Sequence, residues 1–250
     1  MNNRAFGSTE LEVGALGFGG AEIGFQRASD STVDTLVGIA LDAGMNVIDT
    51  AAMYADSEEK IGKAMSGRRG KFLLFTKCGR CPPPTRSIPG FLLRSDRRLR
   101  RSLGLSSRYE RFDWHPRALK WNIEQSLRRL RTDYIDVLQL HSCEEETLRQ
   151  GDVIEVLSAA RKAGKVRYIG YTGDGKAALY ALRCGRFEAV QTSISIADQA
   201  AMELILPLAT AGGIGVVAKR PIANGLWRPN QRPDNVDHQI YWDRLQKLQY

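Results

Sequence analysis

Short apolar runs alternate with amphipathic segments along most of this chain. The runs are almost continuously hydrophobic, which is typical of parallel strands that are covered on both faces. They occupy residues 13–20, 46–51, 72–79, 134–141, 166–173, 189–195 and 214–219. This alternation of strand and helix predicts a parallel sheet with right-handed crossover connections.

The segments between the runs have the spacing of helices. Apolar residues at positions 33, 36, 37, 40 and 41 follow the pattern of one helix face. Ser31 and Asp34 resemble a capping box at the start of this helix, and Gly44 marks its end.

Two parallel architectures compete for this pattern. A doubly wound dinucleotide-binding sheet should carry G-x-G-x-x-G after its first strand, but Gly17-Phe18-Gly19-Gly20 has a different spacing. Seven strand candidates in strict alternation favour a closed barrel instead. We therefore predict an α/β fold, a (β/α)8 TIM barrel that is incomplete at its carboxyl end, with residues 1–250 forming a single domain.

The composition is that of an ordinary globular protein, with 43% hydrophobic and 26% charged residues. No apolar run approaches the roughly 18 residues of a membrane span, and the first residues lack the apolar core of a signal peptide. Four cysteines do not make a disulfide framework in a chain of this length. Zinc binding by Cys78, Cys81 and Cys143 is an alternative, but we favour ordinary thiols and no metal site. We expect a cytoplasmic protein.

The net charge of +8 is concentrated in one segment. Residues 80–116 contain nine arginines and three acidic residues, so this segment alone carries +6. Aromatic side chains among the arginines are compatible with a nucleic-acid surface. We favour an insertion loop beside an active site, because barrel enzymes elaborate their pockets in such loops. An anionic substrate or a cofactor phosphate would be the natural partner of its arginines.

Polar residues close three of the apolar runs, at the end where barrel enzymes place their reacting groups. They are Asp49, Lys77 and His141, and Tyr54 follows Asp49 in the next loop. Each could have a structural role alone, as a turn cap or a buried polar residue. Together they have a chemical use: a lysine cation makes a nearby tyrosine a stronger acid, a carboxylate orients the lysine, and a histidine can donate a hydrogen bond to a carbonyl oxygen.

The sequence resembles the aldo-keto reductase family over nearly its whole length. The matching motifs are, in order, Gly44-Met45-Asn46-Val47-Ile48-Asp49-Thr50-Ala51 with Tyr54, Ser57-Glu58 with Ile61-Gly62, Phe75-Thr76-Lys77, Ser126-Leu127-Arg128-Arg129-Leu130, Asp133-Tyr134-Ile135-Asp136, Leu140-His141, Gly164-Lys165-Val166-Arg167-Tyr168-Ile169-Gly170 and Val190-Gln191. Gly19-Gly20-Ala21 and Trp227 resemble its sugar-aldehyde dehydrogenase branch.

The resemblance implies a TIM-barrel oxidoreductase that uses NADP(H), with NAD(H) not excluded, to reduce an aldehyde or ketone or to oxidise the corresponding alcohol or sugar. It makes Tyr54 the general acid, Lys77 and Asp49 the groups that tune it, and His141 the group that positions the carbonyl. It also places Gln191 against the nicotinamide carboxamide.

Other cofactor contacts depart from the family pattern. Thr172-Gly173-Asp174 stands where the family usually has Ser-Asn, so Thr172 keeps a hydroxyl but Gly173 offers no amide. Lys219-Arg220 stands where an aromatic residue often stacks on the nicotinamide, and Arg220 can stack or reach a phosphate. We expect Thr172, Gln191, Lys219 and Arg220 to contact the cofactor.

The resemblance implies an eighth strand, but none follows the run that ends near Lys219. We therefore expect a truncated barrel, whose two unpaired sheet edges favour self-association. The alternative function is a non-catalytic module, related to aldo-keto reductases, that binds a nucleotide.

Overall fold

A computed structural model of the chain describes residues 2–81, 111–228, 231–234 and 236–248. Seven strands, numbered here in chain order with the rest, lie parallel in one sheet. In spatial order they are β11 (Gly215–Lys219), β10 (Ala189–Ser193), β9 (Val166–Thr172), β8 (Ile135–His141), β5 (Leu73–Cys78), β4 (Val47–Asp49) and β3 (Phe18–Gly19). The sheet curls into an open barrel, as predicted, with β3 and β11 at its two ends.

The remaining strands form two antiparallel pairs, β1 (Asn3–Ala5) with β2 (Glu12–Gly14) and β6 (Arg80–Cys81) with β7 (Arg111–Phe112). The helices are α1 (Ala21–Phe25), α2 (Asp30–Asp42), α3 (Ser57–Ala64), α4 (Pro116–Leu130), α5 (Glu145–Gln150), α6 (Asp152–Lys162), α7 (Gly175–Arg183), α8 (Ala200–Leu204), α9 (Leu206–Ala211) and α10 (Val236–Lys247). Short 3-10 turns occur at Arg69–Lys71 and Ala223–Gly225.

Alternation along each strand separates the two faces of the sheet. On β8, Leu138 and Leu140 point outward and pack with Leu119 and Leu157 of the surrounding helices. The intervening residues point into the barrel, where Val137 packs with Phe75 and other inward residues. Since successive strand side chains point to opposite faces, His141 at the end of β8 points inward as well.

The amino end of the barrel is closed by the floor hairpin, which consists of β1, β2 and their connecting turn (residues 3–14). Its side chains Phe6, Leu11 and Val13 are buried against the inward residues of the strands. The Ser8 amide donates to the Gly213 carbonyl at 2.6 Å, just before β11. The amino end of the barrel is thus blocked by the hairpin, and the other end of the barrel interior lies at the carboxyl ends of the strands.

Six of the seven predicted strands are confirmed to within two residues at each end. The run at 13–20 is the exception, because it divides into the end of β2, a bend and the two-residue β3. The predicted capping box is also wrong. Helix α2 begins at Asp30, and its N-cap is Ser29, two residues before the predicted Ser31. The Ser29 hydroxyl accepts a hydrogen bond from the Thr32 amide at 3.1 Å.

Most of the arginine-rich segment, residues 82–110, lies outside the described residues, so its proposed role as a pocket loop stays a prediction. Its two ends meet in the pair β6–β7 directly after β5. There the Arg80 guanidinium lies 5.4 Å from the centre of the Phe112 ring.

Candidate active site

The four polar residues picked out in the sequence come together at the carboxyl end of the barrel. Asp49 ends β4, His141 ends β8, and Lys77 is the penultimate residue of β5. Tyr54 lies in the turn between β4 and α3. Neighbouring parallel strands end at the same edge of the sheet, so their terminal side chains meet there.

Lys77 and Asp49 form a buried ion pair at the centre of the group. The Lys77 Nζ lies 2.8 Å from Asp49 Oδ1 and 2.7 Å from Oδ2, and it donates to the Thr50 carbonyl at 2.8 Å. Burial by itself lowers the pKa of Lys77, but Asp49 and Tyr54 more than offset this and raise it above its ordinary value. The lysine is therefore a fixed cation at neutral pH.

Tyr54 is held between this cation and the histidine. Its ring centre lies 5.2 Å from Lys77 Nζ and 5.9 Å from the centre of the His141 ring, and the two rings are nearly perpendicular at 89°. Phe25 of α1 contacts Tyr54 from another side, with ring centres 5.6 Å apart. Gly24 lets α1 approach this turn, since a Cβ there would lie 2.0 Å from the Tyr54 carbonyl oxygen.

His141 is a buried, neutral imidazole. Burial lowers its pKa well below the ordinary value, and the cations Lys77, Arg80, Lys219 and Arg220 lower it further. Its Nδ1 is buried and has no hydrogen-bond partner among the described residues. The neutral ring carries one N–H, so it can donate a single hydrogen bond.

Gln191 and Thr172 continue the hydrogen-bonded group across the barrel. The Thr172 hydroxyl donates to Gln191 Oε1 at 2.9 Å, and Gln191 Nε2 donates to Asp49 Oδ2 at 3.1 Å. Each amide atom of Gln191 thus uses one bond and retains capacity for another. A carboxamide needs one donor and one acceptor, so this side chain fits the nicotinamide contact expected for it.

Lys219 and Arg220 lie at the same end of the barrel but are engaged by protein groups. Lys219 Nζ lies 3.0 Å from Asp174 Oδ2, and burial lowers the pKa of Lys219 more than Asp174 raises it. Arg220 Nη1 donates to the hydroxyls of Ser193 and Tyr241 at 3.3 and 3.4 Å. Contact with a cofactor phosphate would therefore be made by cations that already have fixed positions.

Two neighbours of the group were not assigned to the site from the sequence. Ser193 points inward two residues after Gln191 on β10, and this alternation was the signal available for it. Phe25 had no such signal, because it lies on a five-residue helix and is about half exposed.

Other features of the described chain add no second centre. Within residues 2–81, 111–228, 231–234 and 236–248, no helix is long and apolar enough to cross a bilayer. In the same ranges, no three His, Cys, Asp or Glu residues are grouped as metal ligands would be.

Comparison with known proteins identifies this arrangement. A sequence model of the Aldo/keto reductase family matches residues 15–247. The chain belongs to the aldo-keto reductase family. Relatives within the family are named as reductases and dehydrogenases, which makes this chain an oxidoreductase of that class.

Three members of the aldo-keto reductase family illustrate the similarity. L-galactose dehydrogenase of Arabidopsis thaliana is 29% identical, with 92% of this chain and 68% of that protein covered. NADH-specific methylglyoxal reductase of Escherichia coli is also 29% identical, with 90% and 69% covered. The crystal structure of an aldo/keto reductase from Klebsiella pneumoniae in complex with NADP and acetate is 25% identical, with a TM-score of 0.68 and 92% and 72% covered. The chain thus spans about two thirds of the length of the two named enzymes.

Proposed function

We propose that this aldo-keto reductase reduces an aldehyde or ketone to the alcohol, or catalyses the reverse oxidation, with Tyr54 as general acid or base. NADP(H) is the proposed cofactor, and NAD(H) is the alternative to be measured against it. When bound, the nicotinamide nucleotide supplies or accepts the hydride. The observation that carries the proposal is the fixed Lys77 cation, paired with Asp49, beside the Tyr54 ring.

Tyr54 holds the proton that the carbonyl oxygen needs. As negative charge develops on that oxygen, the Tyr54 hydroxyl donates its proton and becomes a phenolate. The Lys77 ammonium stabilises the phenolate, and Asp49 keeps the ammonium in place.

His141 orients the substrate by donating one hydrogen bond. A neutral imidazole with its hydrogen on Nε2 can donate to the carbonyl oxygen that Tyr54 protonates. The lowered pKa keeps the ring neutral, so it directs the carbonyl without adding a charge.

The cofactor would be held by the residues that end β9, β10 and β11. Thr172 and Gln191 offer a hydroxyl and an amide for the nicotinamide, while Lys219 and Arg220 offer positive charge for phosphates. One relative is named as NADH-specific, and one related structure is a complex with NADP. The preference of this chain for NADP(H) or NAD(H) is therefore decided by measurement.

The test measures turnover of 4-nitrobenzaldehyde with NADPH and with NADH. Tyr54→Phe should lower kcat at least about a hundredfold, because general acid catalysis contributes roughly that factor or more. Tyr180→Phe is the matched control, since Tyr180 lies on the outer helix α7 beneath Arg149. Wild-type activity in the Tyr54 variant would overturn the proposal.

Fluorescence titration with the two nucleotides separates catalysis from binding. Quenching of protein fluorescence by NADPH or NADH, together with turnover, supports the proposed enzymatic function. Quenching with no turnover of any aldehyde or sugar supports the alternative, a module that binds a nucleotide without catalysis.

A further inference from the structure

Three buried polar atoms without partners lie on the inner face of β8. They are both amide atoms of Gln139 and the Nδ1 of His141, and none has a hydrogen-bond partner among the described residues. Gln139 is only 1% exposed. A buried amide that forms no hydrogen bond destabilises the fold, and such groups are almost always paired in folded proteins. Their occurrence together needs a physical reason.

Gln139 and His141 face the same space inside the barrel. They are two residues apart on one strand, so their side chains point the same way about 6.6 Å apart. Gly170 on β9 provides the room, since a Cβ there would lie 3.1 Å from Gln139 Cγ. An amide and an imidazole at this spacing can be joined by one water molecule.

Lys77 is the neighbour of Gln139 on the opposite side, where the two residues are register partners across β5 and β8. Its positive charge attracts the amide oxygen and repels the amide N–H groups, because side-chain dipoles orient in the local field. The Gln139 N–H groups then face away from Lys77, on the side where His141 Nδ1 is buried and lacks a partner among the described residues.

We infer that Gln139 is a positioning residue, whose amide N–H donates to a water that in turn donates to His141 Nδ1. The inference rests on the proposed function, in which His141 donates to the substrate carbonyl. An Nδ1 that accepts a hydrogen bond cannot carry the ring hydrogen, so the hydrogen resides on Nε2. Gln139 thereby makes His141 a donor toward the mouth.

Nitrogen NMR of protein labelled at histidine nitrogens reads this tautomer directly. The chain has three histidines, and His141→Asn assigns the signal by its loss. We expect wild-type His141 to be neutral with its hydrogen on Nε2. Gln139→Glu puts an acceptor in place of the donor and should move the hydrogen to Nδ1 or protonate the ring, while Gln139→Met should give mixed tautomers.

Kinetics supply the second readout. Gln139→Glu should lower kcat about a hundredfold, the low end of the loss expected when a donor to the reacting oxygen is removed, with nucleotide affinity unchanged. Val137→Ala is the matched control, because it removes buried volume at the next inward position of β8 but no polar atom. It should leave the His141 signals unchanged.

A wild-type His141 that carries its hydrogen on Nδ1 would overturn the inference, and this measurement needs no variant. Unchanged His141 signals in a folded Gln139→Glu protein would do the same. If the signals shift as expected but wild-type protein turns over no carbonyl compound, the proposed function fails while the link between Gln139 and His141 stands.

Discussion

The partners in the Lys77–Asp49 ion pair differ in how well water can reach them. The Lys77 side chain is 2% exposed and the Asp49 side chain 17%. Asp49 also accepts a hydrogen bond from Gln191 at 3.1 Å, so it keeps a partner if Lys77 is removed. Removing the carboxylate should therefore destabilise the protein more than removing the ammonium.

The size of the asymmetry follows from what each substitution leaves behind. Asp49→Asn leaves a buried cation and should lower the free energy of unfolding by about 3 kcal/mol, the low end for a broken buried pair because the amide oxygen still accepts one bond. Lys77→Met leaves a carboxylate that reaches solvent and keeps Gln191, at a cost of about 1–2 kcal/mol. In the double variant no charge is left unpaired. Its loss in the free energy of unfolding should therefore be smaller than the sum of the two single losses by at least about 1 kcal/mol.

Urea unfolding at neutral pH measures all four proteins. For a chain of this length, 3 kcal/mol corresponds to a fall in melting temperature of about 6–12 °C, so thermal melts provide a second estimate. Equal losses in the two single variants, or strict additivity in the double variant, would refute the reasoning. Either outcome would mean that water reaches the Lys77 ammonium more readily than the burial of its side chain indicates.

Three further predictions concern the packing and charge around the site. Gly24→Ala should lower kcat even in protein that remains folded, because the added Cβ would lie 2.0 Å from the Tyr54 carbonyl oxygen and displace the turn that carries Tyr54. Turnover and urea unfolding are measured in the same preparation. Asp136→Asn should cost about 3–5 kcal/mol in urea unfolding without changing the pH profile of kcat, since this buried carboxylate accepts from Arg69 at 2.8 Å far from the mouth. The lowered pKa of His141 makes stability fall as pH drops below about 6.5, the unfolded value, because the unfolded chain then binds the extra proton; His141→Asn should flatten that slope in unfolding measured between about pH 7.5 and 5.5.

Much of the barrel could be predicted from the sequence because buried parallel strands leave a strong local signal. Strands β5 and β8 differ from their predicted runs by no more than one residue at either end. The exception at 13–20 arises because a hairpin strand and a short barrel strand are both apolar there. Only the tertiary pairing of β2 with β1 and of β3 with β4 separates them.

The reacting groups were predictable for a related reason. The ends of neighbouring parallel strands lie at one edge of the sheet whatever the loops do, so the sequence alone indicates that Asp49, Lys77 and His141 lie together. The partners of Lys219 were not predictable in this way. Asp174 is the N-cap residue of α7, yet its carboxylate makes no capping hydrogen bond and pairs with Lys219 instead. Which of these two partners it takes depends on side-chain geometry that the sequence does not give.

The floor hairpin joins the beginning of the chain to its last barrel strand. Phe6 packs against Gly215, where a Cβ would lie 2.5 Å from the Phe6 ring, and Ser8 bonds to Gly213. These contacts are more than two hundred residues apart in sequence, so the barrel has a high contact order at this point and should close slowly. During synthesis the contacts of Phe6 and Ser8 with this end of the barrel can form only after β11 has left the ribosome. Until then the barrel strands that are already made keep one edge unpaired, and such an edge is prone to association with other chains.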